Sequence, residues 1–323
     1  MPYRKNTLRL TVLLLATLFS IFTHAQARQK FLLPDDVSDR AVTIISEGTR
    51  ITGHIFTPKS SSVGKALPTI VMAHGWGGTQ ALLRRDASEF AQAGFLVLSF
   101  DYRGWGESDS RVILTQAAAD HTSTQFTAEV RAIREVVNAE DMVTDWLNVL
   151  HWAQGEPQID GDNIGVWGSS MAGGYVIYAA AHDPRVKAVH SQVTGVLGTQ
   201  LWGMSPDATK QATQMARGEI GYPEPRADFG MGTLRGAPIL HRFARFTPES
   251  DILKGSNVAL QIVLAEEEEY GGNPLALSTI DAYKGPKNLV IVKGIGHYGI
   301  YTKGRKQSHQ LAEGWFSKFL KRK

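Results

Sequence analysis

The chain has 323 residues, a formal net charge of +3, 43% hydrophobic residues and no cysteine. That length and apolar share suit a globular protein with a sizeable core. The missing cysteine excludes disulfides, thiolate metal sites, a cysteine nucleophile and a lipoprotein-type cysteine anchor.

Arg4, Lys5 and Arg9 make a basic start, Leu10 to Phe22 form an apolar run, and Ala25-Gln26-Ala27 offers a small-x-small cleavage site. This order predicts a secretory signal peptide over residues 1–27, a mature chain from Arg28 to residue 323, and a secreted or periplasmic location. The apolar run of 13 residues falls short of the roughly 20 that span a bilayer, so stable membrane insertion is not expected. The leader holds three basic and no acidic residues. The mature chain is therefore close to neutral, and nucleic acid is not an expected partner.

Beyond the leader, strand-like and helix-like segments alternate. Ala41–Pro58 reads as two strands around Glu47-Gly48-Thr49, and Leu67–Met72 as a β-branched strand ending at His74-Gly75. Ala81–Ala93 has helical spacing, Phe95–Phe100 is an apolar strand, and Glu140–Gln154 is an amphipathic helix. Asn163–Trp167 (strand), Ala172–Ala181 (small-residue helix) and Val186–Val193 (strand) follow. Ala259–Leu264 and Asn288–Val292 read as two more strands, and Gln307–Leu320 as a closing helix. Apolar strands separated by helices predict an α/β fold with a mostly parallel sheet covered on both faces. Residues 197–257, rich in Gly, Pro, Arg and Met, break the rhythm and are expected to form a small, partly helical cap insertion.

Three segments carry chemistry. In Asn163–Gly174 a short strand enters a Gly/Ser turn and then a small-residue helix, the setting of a nucleophile elbow. Counted from Gly168, Ser170 rather than Ser169 holds the nucleophile position. His74-Gly75-Trp76-Gly77-Gly78 follows an early strand, where a loop can supply an oxyanion donor. The expected pair of donors is the backbone N–H groups of Trp76 and Met171. Gly294-Ile295-Gly296-His297-Tyr298-Gly299 matches a dinucleotide-binding pattern, but the 24 residues that follow are too few for a nucleotide-binding unit. A histidine in a small-residue loop after the final strand suits a general base, so His297 is the candidate among ten histidines. The base needs an acid between serine and histidine in chain order, and one of Glu266–Glu269 is placed to supply it. His74 reads as structural. Trp202, His190 and Tyr298 are candidates to line the substrate pocket, with Met204, Phe229 and Met231 as further apolar residues of the insertion. His190 reads equally as a satisfied core histidine.

From about residue 40 onward, these segments together with Asp101-Tyr102-Arg103-Gly104-Trp105-Gly106-Glu107-Ser108 resemble the α/β-hydrolase superfamily. The dienelactone-hydrolase-like and acyl-peptidase-like esterase branches are the most similar. The resemblance implies an eight-stranded sheet, no cofactor or metal, and a structural role for the 101–108 turn. It places the acid about three residues past the small residue that ends its strand; from Ala265 this gives Glu268. Two positions depart from the pattern: Ala172 stands where glycine is usual, and the acid is Glu rather than Asp. The implied activity is cleavage of a small-molecule carboxylic ester through an acyl-enzyme on Ser170, with His297 and Glu268. Amide hydrolysis or acyl transfer on the same scaffold, and a non-catalytic binding role, are the alternatives.

Overall fold

The computed structural model describes residues 31–61, 66–118, 120–195, 197–225 and 234–320. The expected leader, its cleavage site, and the pocket candidates Phe229 and Met231 lie outside the described residues. The sheet and the site belong to the unit that begins at Leu33.

Eight strands build the main sheet: β1 (Val37–Ser46), β2 (Thr49–Pro58), β3 (Leu67–Ala73), β4 (Leu96–Phe100), β5 (Ile159–Ser169), β6 (Val186–Gln192), β7 (Ala259–Ala265) and β8 (Lys287–Val292). Their spatial order is β1-β2-β4-β3-β5-β6-β7-β8. The pairs β1–β2 and β2–β4 are antiparallel, and the others are parallel. β1 and β2 are longer than their sequence pattern suggests. They are joined by Glu47-Gly48, both with positive φ, the backbone that suits a two-residue hairpin turn.

All residues of β4 and β7 are buried, because helices cover both faces of the sheet. Alternate side chains enter different layers. Ile70, Met72 and Val97 pack with Phe90 of α1 (Arg84–Gln92) and Phe316 of α8 (Arg305–Phe319). Val71, Leu98 and Phe100 pack on the opposite face. There they meet Trp146 of α2 (Ala139–Gly155), Tyr175 of α3 (Met171–His182) and Ile280 of α7 (Asn273–Ala282). The turn after β4 is tied down by Asp101, which accepts from the backbone N–H of Gln80 (2.7 Å) and Glu107 (3.1 Å). Arg103 in the same turn pairs with the fully buried Asp145 of α2.

Between β6 and β7 lie α4 (Gln200–Gly203), α5 (Pro206–Ala216), a 3-10 turn (Leu240–Phe243) and α6 (Pro248–Ile252). This stretch contributes no strand to the main sheet among the described residues; its two-residue strand Ala237–Pro238 pairs with Val136–Val137. A short hairpin, Val112–Leu114 with Val130–Ala132, and helix α7 carry no clear signal in the sequence. The order reverses at β3, which lies between β4 and β5. The loops leaving the carboxyl ends of β3 and β5 are therefore neighbours, which is where ligands bind in open α/β sheets.

Candidate active site

β5 ends at Ser169, and α3 starts at Met171, so Ser170 must turn the chain between them. It does so at φ 57°, ψ −123°, a sparsely populated conformation for a non-glycine residue, typically costing about 1–3 kcal/mol. Three backbone bonds hold it there. Ser170 N–H donates to Gln192 O (2.9 Å), and Ser170 O accepts from Gly173 (2.9 Å) and Gly195 (3.2 Å). The turn is so tight that a Cβ at Gly168 would lie 2.2 Å from Ala172 O. This explains the glycine at 168, and the buried Ala172 itself fits its place.

The structure brings Ser170, His297 and Glu268 together. The Ser170 hydroxyl donates to His297 Nε2 at 2.9 Å, and His297 Nδ1–H donates to both Glu268 oxygens at 2.9 Å. A carboxylate only accepts, so this pairing puts the ring proton on Nδ1 and leaves Nε2 free to take a proton from serine. Both side chains are shielded from solvent, at 4% exposure for His297 and 3% for Glu268. Glu268 Oε1 also accepts from Tyr270 N–H (3.1 Å), and the Tyr270 ring stands edge-on to the imidazole at 4.9 Å. The neighbouring acids face elsewhere. Glu266 binds Lys293 Nζ (2.7 Å) and Gly294 N–H (2.9 Å), and Glu267 is exposed. Glu269 accepts from the backbone N–H of His297 (2.9 Å), which holds its carboxyl below the usual range.

Ser170 opens into a cavity of about 490 Å³. The 74–78 loop lies against the nucleophile: a Cβ at Gly75 would be 3.1 Å from Ser170 Cβ. Trp76 and Met171 both line the cavity. Trp76 is buried, with its indole N–H donating to Gly236 O (3.3 Å). Met171 opens α3, and the first N–H groups of a helix lack intrahelical acceptors and carry its positive dipole end. On another side, a Cβ at Gly195 would stand 3.3 Å from Ser170 Oγ and 3.6 Å from His297 Cε1.

Trp202 and Tyr298 also line the cavity. Trp202 packs edge-on against Phe243 at 5.9 Å, and burial raises the Tyr298 hydroxyl pKa. His190 does not fit its pocket candidacy. It is fully buried, stacks on Trp167, and pairs through Nδ1 with Gln261 Oε1 (2.6 Å). β6 runs two residues further, so Gln192, on the same face, meets the cavity while His190 lies in the layer below. Burial pushes the His190 pKa down to about 4. His74 is buried beside Asp101 and pairs through Nδ1 with Gly75 O (2.9 Å).

Sequence reasoning missed several lining residues, among them Tyr270, Tyr301, Leu234 and His309. Tyr270 and Tyr301 lie close in sequence to Glu268 and His297, which is the one signal they carried. Asp86, Glu89 and His309 form a cluster of metal-ligand type among the described residues. Arg305 Nη2 lies 2.7 Å from Asp86 and 2.9 Å from Glu89, as an ion network between α1 and α8.

The X-Pro dipeptidyl-peptidase (S15 family) profile matches residues 47–206. An uncharacterized 31.7 kDa protein of Escherichia coli is 36% identical over 135 residues, covering 42% of this chain and 40% of its own. A thiohydrolase, aneE, of Aspergillus aculeatus is 22% identical over 79% of this chain and 84% of its own. Among solved structures, a hypothetical protein of Pseudomonas aeruginosa superposes with a TM-score of 0.68 at 19% identity, covering 91% of this chain and 99% of its own. The chain thus spans about two fifths of the length of the first of these relatives and nearly the whole of the superposed fold. This strand order, this elbow and the likeness of the superposed structures give the chain the α/β-hydrolase fold, with a serine at the elbow.

Proposed function

We propose that this protein is a serine hydrolase that cleaves carboxylic esters of small molecules through an acyl-enzyme. The observation that carries this reading is the continuous relay from Ser170 through His297 to Glu268 at the wall of the cavity. His297 Nε2 takes the Ser170 proton as Oγ attacks the ester carbonyl. The N–H groups of Trp76 and Met171 receive the oxyanion, a contribution of roughly 10²–10³ in rate per donor. The tetrahedral intermediate collapses, the bond to the alcohol oxygen breaks, and His297 returns the proton to that leaving alkoxide. Water then repeats the sequence on the acyl-serine, giving the carboxylic acid and free enzyme. Glu268 holds the imidazole in the useful tautomer and offsets its charge while it is protonated. The name of the thiohydrolase relative supports including thioesters in the substrate class.

The S15-family match over 47–206 favours a second reading, amide hydrolysis on the same machinery. A panel of p-nitrophenyl esters of increasing chain length, assayed beside thioesters and peptide amides, separates the two. Ester turnover lost in Ser170→Ala supports the first reading, and preferred turnover of amides supports the second.

The leader pattern adds a proposal of export with cleavage after Ala27. Among the described residues no helix is long and apolar enough to cross a membrane. Intact-mass measurement of exported protein is expected to give an N-terminus at Arg28. Retained Met1 in a membrane fraction would contradict this.

A further inference from the structure

Tyr301 sits one turn beyond His297 in the same 3-10 helix (His297–Tyr301). Its hydroxyl reaches back across the site to Ser169, the residue just before the nucleophile. Ser169 Oγ donates to the Tyr301 hydroxyl at 2.8 Å. Gln192 Nε2 donates to the same Ser169 Oγ at 3.0 Å, and Gln192 Oε1 accepts from Ser308 Oγ at the start of α8. Gln192 O is also the acceptor that holds Ser170 N–H. The elbow and the chain segment carrying His297 are thus joined by two polar bridges, the part-buried Tyr301–Ser169 and the buried Ser308–Gln192. None of these groups takes part in the proton relay.

We propose that Tyr301, through Ser169, is a positioning residue that sets the separation of His297 Nε2 and Ser170 Oγ. The proposal rests on the serine-hydrolase reading of the site. Glu268 fixes the ring from its Nδ1 side, and Glu269 holds the His297 backbone N–H, but neither reaches the elbow. The Tyr301–Ser169 bond supplies that connection, and burial pushes the Tyr301 hydroxyl up to about 12, so it stays protonated through the neutral range. A shift of about 1 Å between reacting groups can lower a rate by roughly 100-fold, which is why a single hydroxyl at this joint matters to turnover.

The test compares wild type, Tyr301→Phe, Ser169→Ala and the double variant, with a p-nitrophenyl ester for turnover and a fluorophosphonate probe for Ser170. Tyr301→Phe keeps the ring in the cavity wall and removes only the bridge. The expected result is a kcat loss of roughly 10- to 100-fold, with KM within about twofold. The rate of labelling should fall in parallel, while the final extent of labelling stays complete, since the site remains folded. The double variant should lose no more than the worse single variant, because both remove one joint. Unchanged kcat in Tyr301→Phe overturns the proposal. So does a raised KM at constant kcat, which would make Tyr301 a direct substrate contact. Losses that multiply in the double variant, or an incomplete labelling extent that accounts for the lost kcat, also overturn it. Wild type inert to both ester and probe would instead sink the serine-hydrolase reading itself, and the positioning role with it.

Discussion

At the scale of single residues, four adjacent glutamates separate by what each oxygen touches. Glu268 alone of the four reaches the imidazole; Glu266 is occupied by Lys293 and Gly294, Glu267 is exposed, and Glu269 caps the His297 backbone. Glu268→Gln is therefore expected to lower kcat by roughly 10²–10⁴-fold with KM nearly unchanged, because the imidazolium loses its counter-charge and its tautomer control. Glu266→Gln and Glu267→Gln should stay near wild type, and Glu269→Gln should fall between, since it weakens the hold on the His297 loop. Steady-state kinetics on the four variants check this, and full activity in Glu268→Gln would remove it from the relay. The spacing that the resemblance implies, counted from Ala265, led to Glu268, and β7 does end at Ala265. For His190 the sequence left pocket and core open, and the structure takes the core alternative: the ring is buried in β6 against Gln261, with Gln192 at the cavity above it. The contact that Tyr301 makes was not legible, for a different reason. Its partner Ser169 is 132 residues away, and a contact of that range leaves no local pattern.

At the scale of elements, the legible parts are those whose local chemistry demands particular residues. The elbow needs small residues where β5 meets α3, and the sequence supplies Gly168, Ala172 and Gly173 there. The buried parallel strands need continuous apolar runs, and β4 and β7 have them. The region after β6 was less legible because its short helices lie off the main sheet and make their apolar contacts with distant elements. Trp202 of α4 packs on Phe243 and faces the cavity, so its ring bounds part of the space open to substrate. Trp202→Ala should shift the preferred acyl length of the ester series more than it shifts the melting temperature. A chain-length profile identical to wild type would show that this ring only packs the insertion.

At the scale of the whole molecule, stability and activity meet at buried polar groups under the site. His190 is held neutral by burial, with its pKa lowered from 6.5 to about 4. The unfolded chain binds that proton more readily, so this contribution is fully present above about pH 6.5 and is lost as pH falls toward about pH 4, a loss of roughly 3 kcal/mol. Urea midpoints at about pH 7 and about pH 4.5 should therefore fall less for His190→Gln than for wild type. An equal fall in both would assign the acid sensitivity to other groups. The molecule as a whole is a sheet that brings the ends of β3, β5, β7 and β8 to one cavity, and the account stands on the nucleophile found there. The most direct measurement is covalent labelling by a fluorophosphonate probe, with mass spectrometry to locate the adduct. The account predicts one adduct on Ser170, abolished in Ser170→Ala and retained in full extent, at a slower rate, in Ser169→Ala. Labelling that survives in Ser170→Ala would contradict it.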